Sequence, residues 1–154
     1  MKQFLFLTIL CTMFATASQA QKTSLTIVNN TGLTVYFRVG GDVASGTCSY
    51  TYFSNIITLG PVSSVTYADP TAVPGGVNCG SCTPGSLGAS DYFYAIELLH
   101  NGPGCGGAPT AHLGEPCGFI NMHGGFHVED ATCNFAGIIN MASYDSVTGT
   151  LTFN

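Results

Sequence analysis

The residues best suited to chemistry stand close together in HGGFHVED, His123 to Asp130. On a strand, side chains two apart share a face, so His127 and Glu129 point the same way. Imidazole with carboxylate is a common ligand set for zinc or iron. His123, His127 and Glu129 are therefore the candidate metal centre, with zinc as the first ion to consider. His100, His112 and Glu115 lie in or beside a Gly/Pro-rich segment and are placed to complete the set. Against this, metal ligands need a rigid backbone, and Gly124-Gly125 is a flexible spacer between the two histidines. A surface turn with solvated side chains is the plainer reading.

Two further constellations deserve weighing. Cys79-Gly80-Ser81-Cys82 has the two-residue spacing of thiol oxidoreductases, whose attacking thiol is activated at a helix N-terminus. Here Pro74, Gly75, Gly76, Pro84 and Gly85 bracket the pair, so no helix follows and crosslinking is favoured. Glu97, in the apolar run DYFYAIELLH, reads either as a buried general acid or, more plainly, as a lone strand Glu at the solvent end or hydrogen-bonded to backbone. No second carboxylate stands at a glycosidase spacing. There is no nucleophile-elbow motif, phosphate-cradling loop or helical metal motif, and no catalytic residue is assigned. Tyr36, Tyr50 and Tyr52, with Thr34 and Tyr144, suggest an aromatic-polar binding face for a sugar or a protein, or else ordinary cross-strand pairs.

The composition says where such groups would work. Met1–Ala20 has Lys2 as a positive start, an apolar run over Phe4–Phe14, and Ser18-Gln19-Ala20 as a small-residue cleavage site, which is the pattern of a signal peptide. Its removal from the 154 residues leaves 134 as one domain, residues 21–154. Cys11 leaves with it, and Cys48, Cys79, Cys82, Cys105, Cys117 and Cys133 remain. An even count in an exported chain predicts three disulfides, with the pairing open. Lys22 and Arg38 are then the only basic side chains against eight acids. Nucleic acids and anionic membranes need clustered Lys and Arg, which are absent, and no second apolar span follows the signal.

The elements that must position these groups are strands. Leu25 and Ile27, then Leu33, Val35, Phe37 and Val39, alternate with polar residues around Asn29-Asn30-Thr31-Gly32, which predicts an opening hairpin. Asn55–Leu59 and Ser64–Tyr67 predict a second across Gly60-Pro61-Val62-Ser63. Asp91–His100 is apolar on both faces and predicts a central strand. Phe119–Met122 and Phe126–Glu129 flank Gly124-Gly125 as a turn. Phe135–Tyr144 and Gly149–Phe153 predict a final hairpin over Asp145–Gly149. Asp69–Ser90 and Asn101–Gly118 read as two long cysteine-bearing loops. The sum is all-β: an antiparallel β-sandwich of about eight or nine strands.

LTIVNNTGLTVYFRV followed by ITLGPVSSVTYADP resembles small exported proteins of Bacteroidota type that have no assigned activity. The opening strand pair is also similar to the start of thaumatin-like proteins. Those have many more cysteines, one of them just after the opening Asn, where this chain has Thr31, and their acidic cleft residues have no match here. No functional residue carries over from either. The resulting expectation is a secreted, disulfide-stabilised domain with a non-catalytic binding or structural role, its partner an extracellular protein or carbohydrate. The alternative is a small metal-dependent hydrolase using His123, His127 and Glu129.

Overall fold

The computed structural model describes residues 23–42, 52–73, 77–79, 92–106, 109–114 and 121–154. Among them are eleven strand segments and one 3-10 turn, Pro70–Ala72. The strands are β1 Leu25–Asn29, β2 Val35–Asp42, β3 Tyr52–Ser54, β4 Ile57–Leu59, β5 Ser63–Tyr67, β6 Val77–Cys79, β7 Tyr92–Leu99, β8 Pro109–Gly114, β9 Met122–Glu129, β10 Phe135–Asp145 and β11 Thr150–Phe153. One sheet runs β5-β1-β11-β10-β9, the other β6-β3-β2-β7-β8 with β4 also paired to β2. Every pairing is antiparallel except β1 with β11. The eight or nine strands expected become more numerous because β6 and β8 form inside the two stretches read as long loops.

The opening hairpin does not form. β1 pairs with β5 and β11, whereas β2 joins β7, β3 and β4 in the other sheet. The Asn-Asn-Thr-Gly segment is a crossing between sheets, and Asn29 is why it holds. Its buried amide donates to the carbonyls of Leu33 and Gly60, both at 2.8 Å, and its Oδ1 accepts from Thr31 N–H at 3.0 Å. Gly60 belongs to the β4-to-β5 connection, which also crosses, so the second expected hairpin is likewise absent. One side chain thus ties two crossings. A buried polar group with several partners fixes geometry that an apolar residue would leave free.

The core lies between the sheets. Leu25 and Ile27 of β1, Val35, Phe37 and Val39 of β2, Ile96 and Leu98 of β7, Val128 of β9 and Leu151 and Phe153 of β11 belong to one buried cluster. Phe37 and Phe153 bring the two sheets together, their rings 6.2 Å apart. Each such side chain contributes roughly 1.5–3 kcal/mol by leaving water. β7 is central, between β2 and β8, and buried on both faces as its sequence predicts. The final hairpin also forms as expected: Asp145 Oδ1 accepts from Val147 N–H at 2.8 Å and Gly149 takes φ +67°. No helix among the described residues is long and apolar enough to cross a membrane.

Candidate functional site

Residues 123–129 of the HGGFHVED segment run as one strand, β9, and not as two strands around a turn. Gly125 sits within it at φ +66°, a left-handed backbone that glycine adopts without strain. That residue resets the alternation of side chains. His123 pairs with the buried Ala142, and its ring lies 5.7 Å from that of Phe126, which is itself buried opposite Ile139. His127 pairs instead with the exposed Ile138. Residues paired across an antiparallel ladder share a face. His123 is therefore turned toward the core side and His127 toward the outside, so the expected set of His123, His127 and Glu129 does not converge.

A different third residue takes the place of His123. His100, His127 and Glu129 each offer a donor atom, and these atoms lie within 4.8 Å of one another. His100 follows the end of β7 in one sheet, and β9 belongs to the other. The two are tied by the backbone, Glu129 N–H donating to the His100 carbonyl at 2.6 Å. The imidazole rings of His100 and His127 are 5.2 Å apart. His100 Nδ1 stands 3.3 Å from the Thr110 hydroxyl, which leaves Nε2 as the other ring nitrogen able to act as a ligand. His127 is exposed; His100 and Glu129 are half-buried.

The loops around this corner are held stiffly. Cys105, in the β7–β8 connection, forms a disulfide with Cys133, in the β9–β10 turn. In that turn Asp130 Oδ1 accepts from Thr132 N–H, the Thr132 hydroxyl and Asn134 N–H at 2.8, 2.6 and 3.1 Å. The Thr132 hydroxyl and then the two backbone N–H groups hold the Asp130 carboxyl below its ordinary pKa, since each stabilises the charged form.

A second group of ionisable side chains crosses the other sheet in register. Arg38 of β2, Glu97 of β7 and His112 of β8 are successive ladder partners. Arg38 Nη1 lies 3.1 Å from Glu97 Oε2 and His112 Nε2 lies 3.4 Å from Glu97 Oε1. Glu97 is buried, and a bare carboxylate there would be expensive; the guanidinium supplies the compensation. Arg38 and Glu97 also line a cleft of about 540 Å³ with Phe53, Ser54, Asn55 and Pro103. Glu97 stood out in the sequence as a carboxylate among apolar residues. Its partners show only once the strand register is known.

Of the expected binding face, Tyr36 is only 5% exposed. The loop after β7 covers it, Gly102 packing so closely that an added Cβ would lie 2.8 Å from the Tyr36 ring. Tyr36 thus belongs to the interior and offers no exposed face. Tyr50 lies outside the described residues, as do Glu115, Cys48, Cys82 and Cys117. Tyr52 and Cys79 are described only as backbone in β3 and β6. Of the six cysteines after residue 20, Cys105 and Cys133 are a shown pair. Comparison with protein-family models, curated proteins and solved structures finds no match.

Proposed function

We propose that this chain is an exported β-sandwich, clamped by disulfides, that works by binding and not by catalysis, at the cell surface or outside the cell. The signal-like segment at residues 1–20 and the even number of mature cysteines support export. One observation carries the binding role. The β9–β10 pair presents Phe135, Ile138, Met141 and Met122 to solvent at 67%, 57%, 37% and 64% exposure. Large apolar side chains gathered on one strand pair mark a surface that meets another molecule. The partner class that fits is protein. Sugars favour flat aromatic platforms, and in this patch only Phe135 is aromatic, Ile and Met being adaptable aliphatic surface. The hydrolase alternative required His123 beside His127, and the two face opposite ways.

The test uses labelled mature protein added to producing cells stripped of their own copy. Saturable binding is expected, lost in Phe135→Ser/Ile138→Ser at unchanged Tm and abolished by protease treatment of the cells. Loss on periodate treatment instead would replace the protein partner by a carbohydrate. No saturable binding would overturn the reading.

A further inference from the structure

We propose that His100, His127 and Glu129 bind one divalent transition-metal ion of the zinc class, which fastens the end of β7 to β9 across the two sheets. This proposal is independent of the binding role above, since it concerns a different set of side chains. Two imidazoles and a carboxylate are the donors that zinc and its neighbours take in three-ligand protein sites, with a fourth position left to solvent or to a partner. Their donor atoms already lie within 4.8 Å of one another. Ligand atoms about 2.0–2.1 Å from a tetrahedral zinc stand about 3.3 Å apart. Closing that gap takes side-chain rotation of the order of an ångström and no strand movement.

Charge points the same way. Arg38 is the only Lys or Arg among the described residues, and it is engaged by Glu97. Glu129 therefore faces two imidazoles with no described basic side chain beside it. A cation between the three balances that carboxylate. The frame is rigid where a metal site requires rigidity. The Glu129–His100 backbone bond sets the spacing of the ligand-bearing segments, and the Cys105–Cys133 disulfide ties the loops that follow each of them. The Thr110 hydroxyl at His100 Nδ1 orients the ring, the usual part played by a group behind a ligating histidine. His127 is exposed, so an ion reaches the site without opening the fold.

The test is titration of untagged, metal-stripped mature protein with Co²⁺ and then Zn²⁺ alone, followed by calorimetry, visible absorption and Tm. One equivalent is expected to bind, with the absorption of a four-coordinate nitrogen and oxygen site and a rise in Tm. His127→Ala, a change at an exposed side chain, should weaken binding at least about 100-fold, as should Glu129→Gln. His123→Ala should bind as the parent does. Stoichiometry below one half, dimerisation on zinc addition, or equal losses in His123→Ala and His127→Ala would each overturn the site. If His123→Ala proves unstable, His123→Gln serves as the control.

Discussion

The two histidine–carboxylate groups of this molecule use the same side chains in opposite ways. On the β2–β7–β8 sheet, Glu97 is buried and lies between Arg38 and His112, three neighbours in ladder register. At the β7–β9 corner, Glu129 is half-buried and faces His100 and His127, with no basic residue described beside it. The first group is closed: its carboxylate has its cation, and removing Arg38 leaves Glu97 buried with only His112 beside it. The second is open: its donors converge from two sheets onto a space reachable from solvent. Chemical identity alone does not separate a structural carboxylate from a binding one. The separation comes from where the chain's few cations stand.

The strongest way to break this contrast is to release the corner. Replacing Cys105 and Cys133 with Ala frees a crosslink between residues 28 apart in sequence. The entropy of such a loop corresponds to about 3–4 kcal/mol. Urea unfolding should show a loss of that order, and metal affinity at the corner should fall even at urea concentrations where the fold persists. Unchanged affinity would mean that the Glu129–His100 backbone bond alone holds the corner.

The row is tested next. Arg38→Met leaves Glu97 buried with only His112 at hand. Breaking a fully buried pair costs about 3–5 kcal/mol, but the Arg38 side chain is 41% exposed, and screening by solvent reduces the effect to about 2 kcal/mol. Adding Glu97→Gln to Arg38→Met should restore most of the loss in the same unfolding assay. Glu129→Gln, by contrast, should change the stability of the metal-free protein by no more than about 0.5 kcal/mol. Equal losses from the two carboxylates would erase the distinction drawn above.

Part of this was legible in the residues. β7 announces itself as a central strand, because Tyr, Phe, Ile and Leu fill both of its faces. The β10–β11 hairpin follows from Asp145 and Gly149, whose turn chemistry is local. His127 and Glu129 emerge as a pair because a spacing of two is all they need. What failed depended on distant partners. An alternating pattern around Asn29–Gly32 fits a hairpin or a crossing equally well, and the choice is made by β11, a strand at the far end of the chain, and by Gly60, which Asn29 binds. His123 groups with His127 by closeness in sequence across a Gly-Gly segment that reads as a turn, whereas the strand runs through it and Gly125 resets the alternation. His100 was noticed as a possible completing ligand, but only the fold brings it there.

Gly125 supplies a smaller test of that last point. An added Cβ meets nothing within 4 Å, so the penalty of substitution is backbone strain alone. Gly125→Ala should cost about 1 kcal/mol, since an L side chain is disfavoured at φ +66°, and Gly125→Asn should cost less because Asn tolerates left-handed backbone. If the alanine variant relaxes to an extended backbone, His123 and His127 come onto one face, and zinc affinity would then depend on His123.

The smallest effect provides a baseline for both groups. Tyr67 of β5 is only 4% exposed and packs in the core. Burial pushes its hydroxyl above the ordinary value of 10.0, because the phenolate would lose its hydration. Below that value Tyr67 is neutral in both folded and unfolded chains and contributes no pH dependence. Above it the unfolded chain releases the proton while the folded one retains it. Stability therefore declines as pH rises from the unfolded value toward the raised folded one. Tyr67→Phe should flatten that alkaline decline in unfolding curves taken from pH 8 upward, as a small effect of one residue. Arg38→Met and Glu129→Gln leave Tyr67 and its burial untouched, so both should displace the curve without changing its slope. A slope that changes in either variant would mean that one of the two groups is coupled to the core through more than the contacts described.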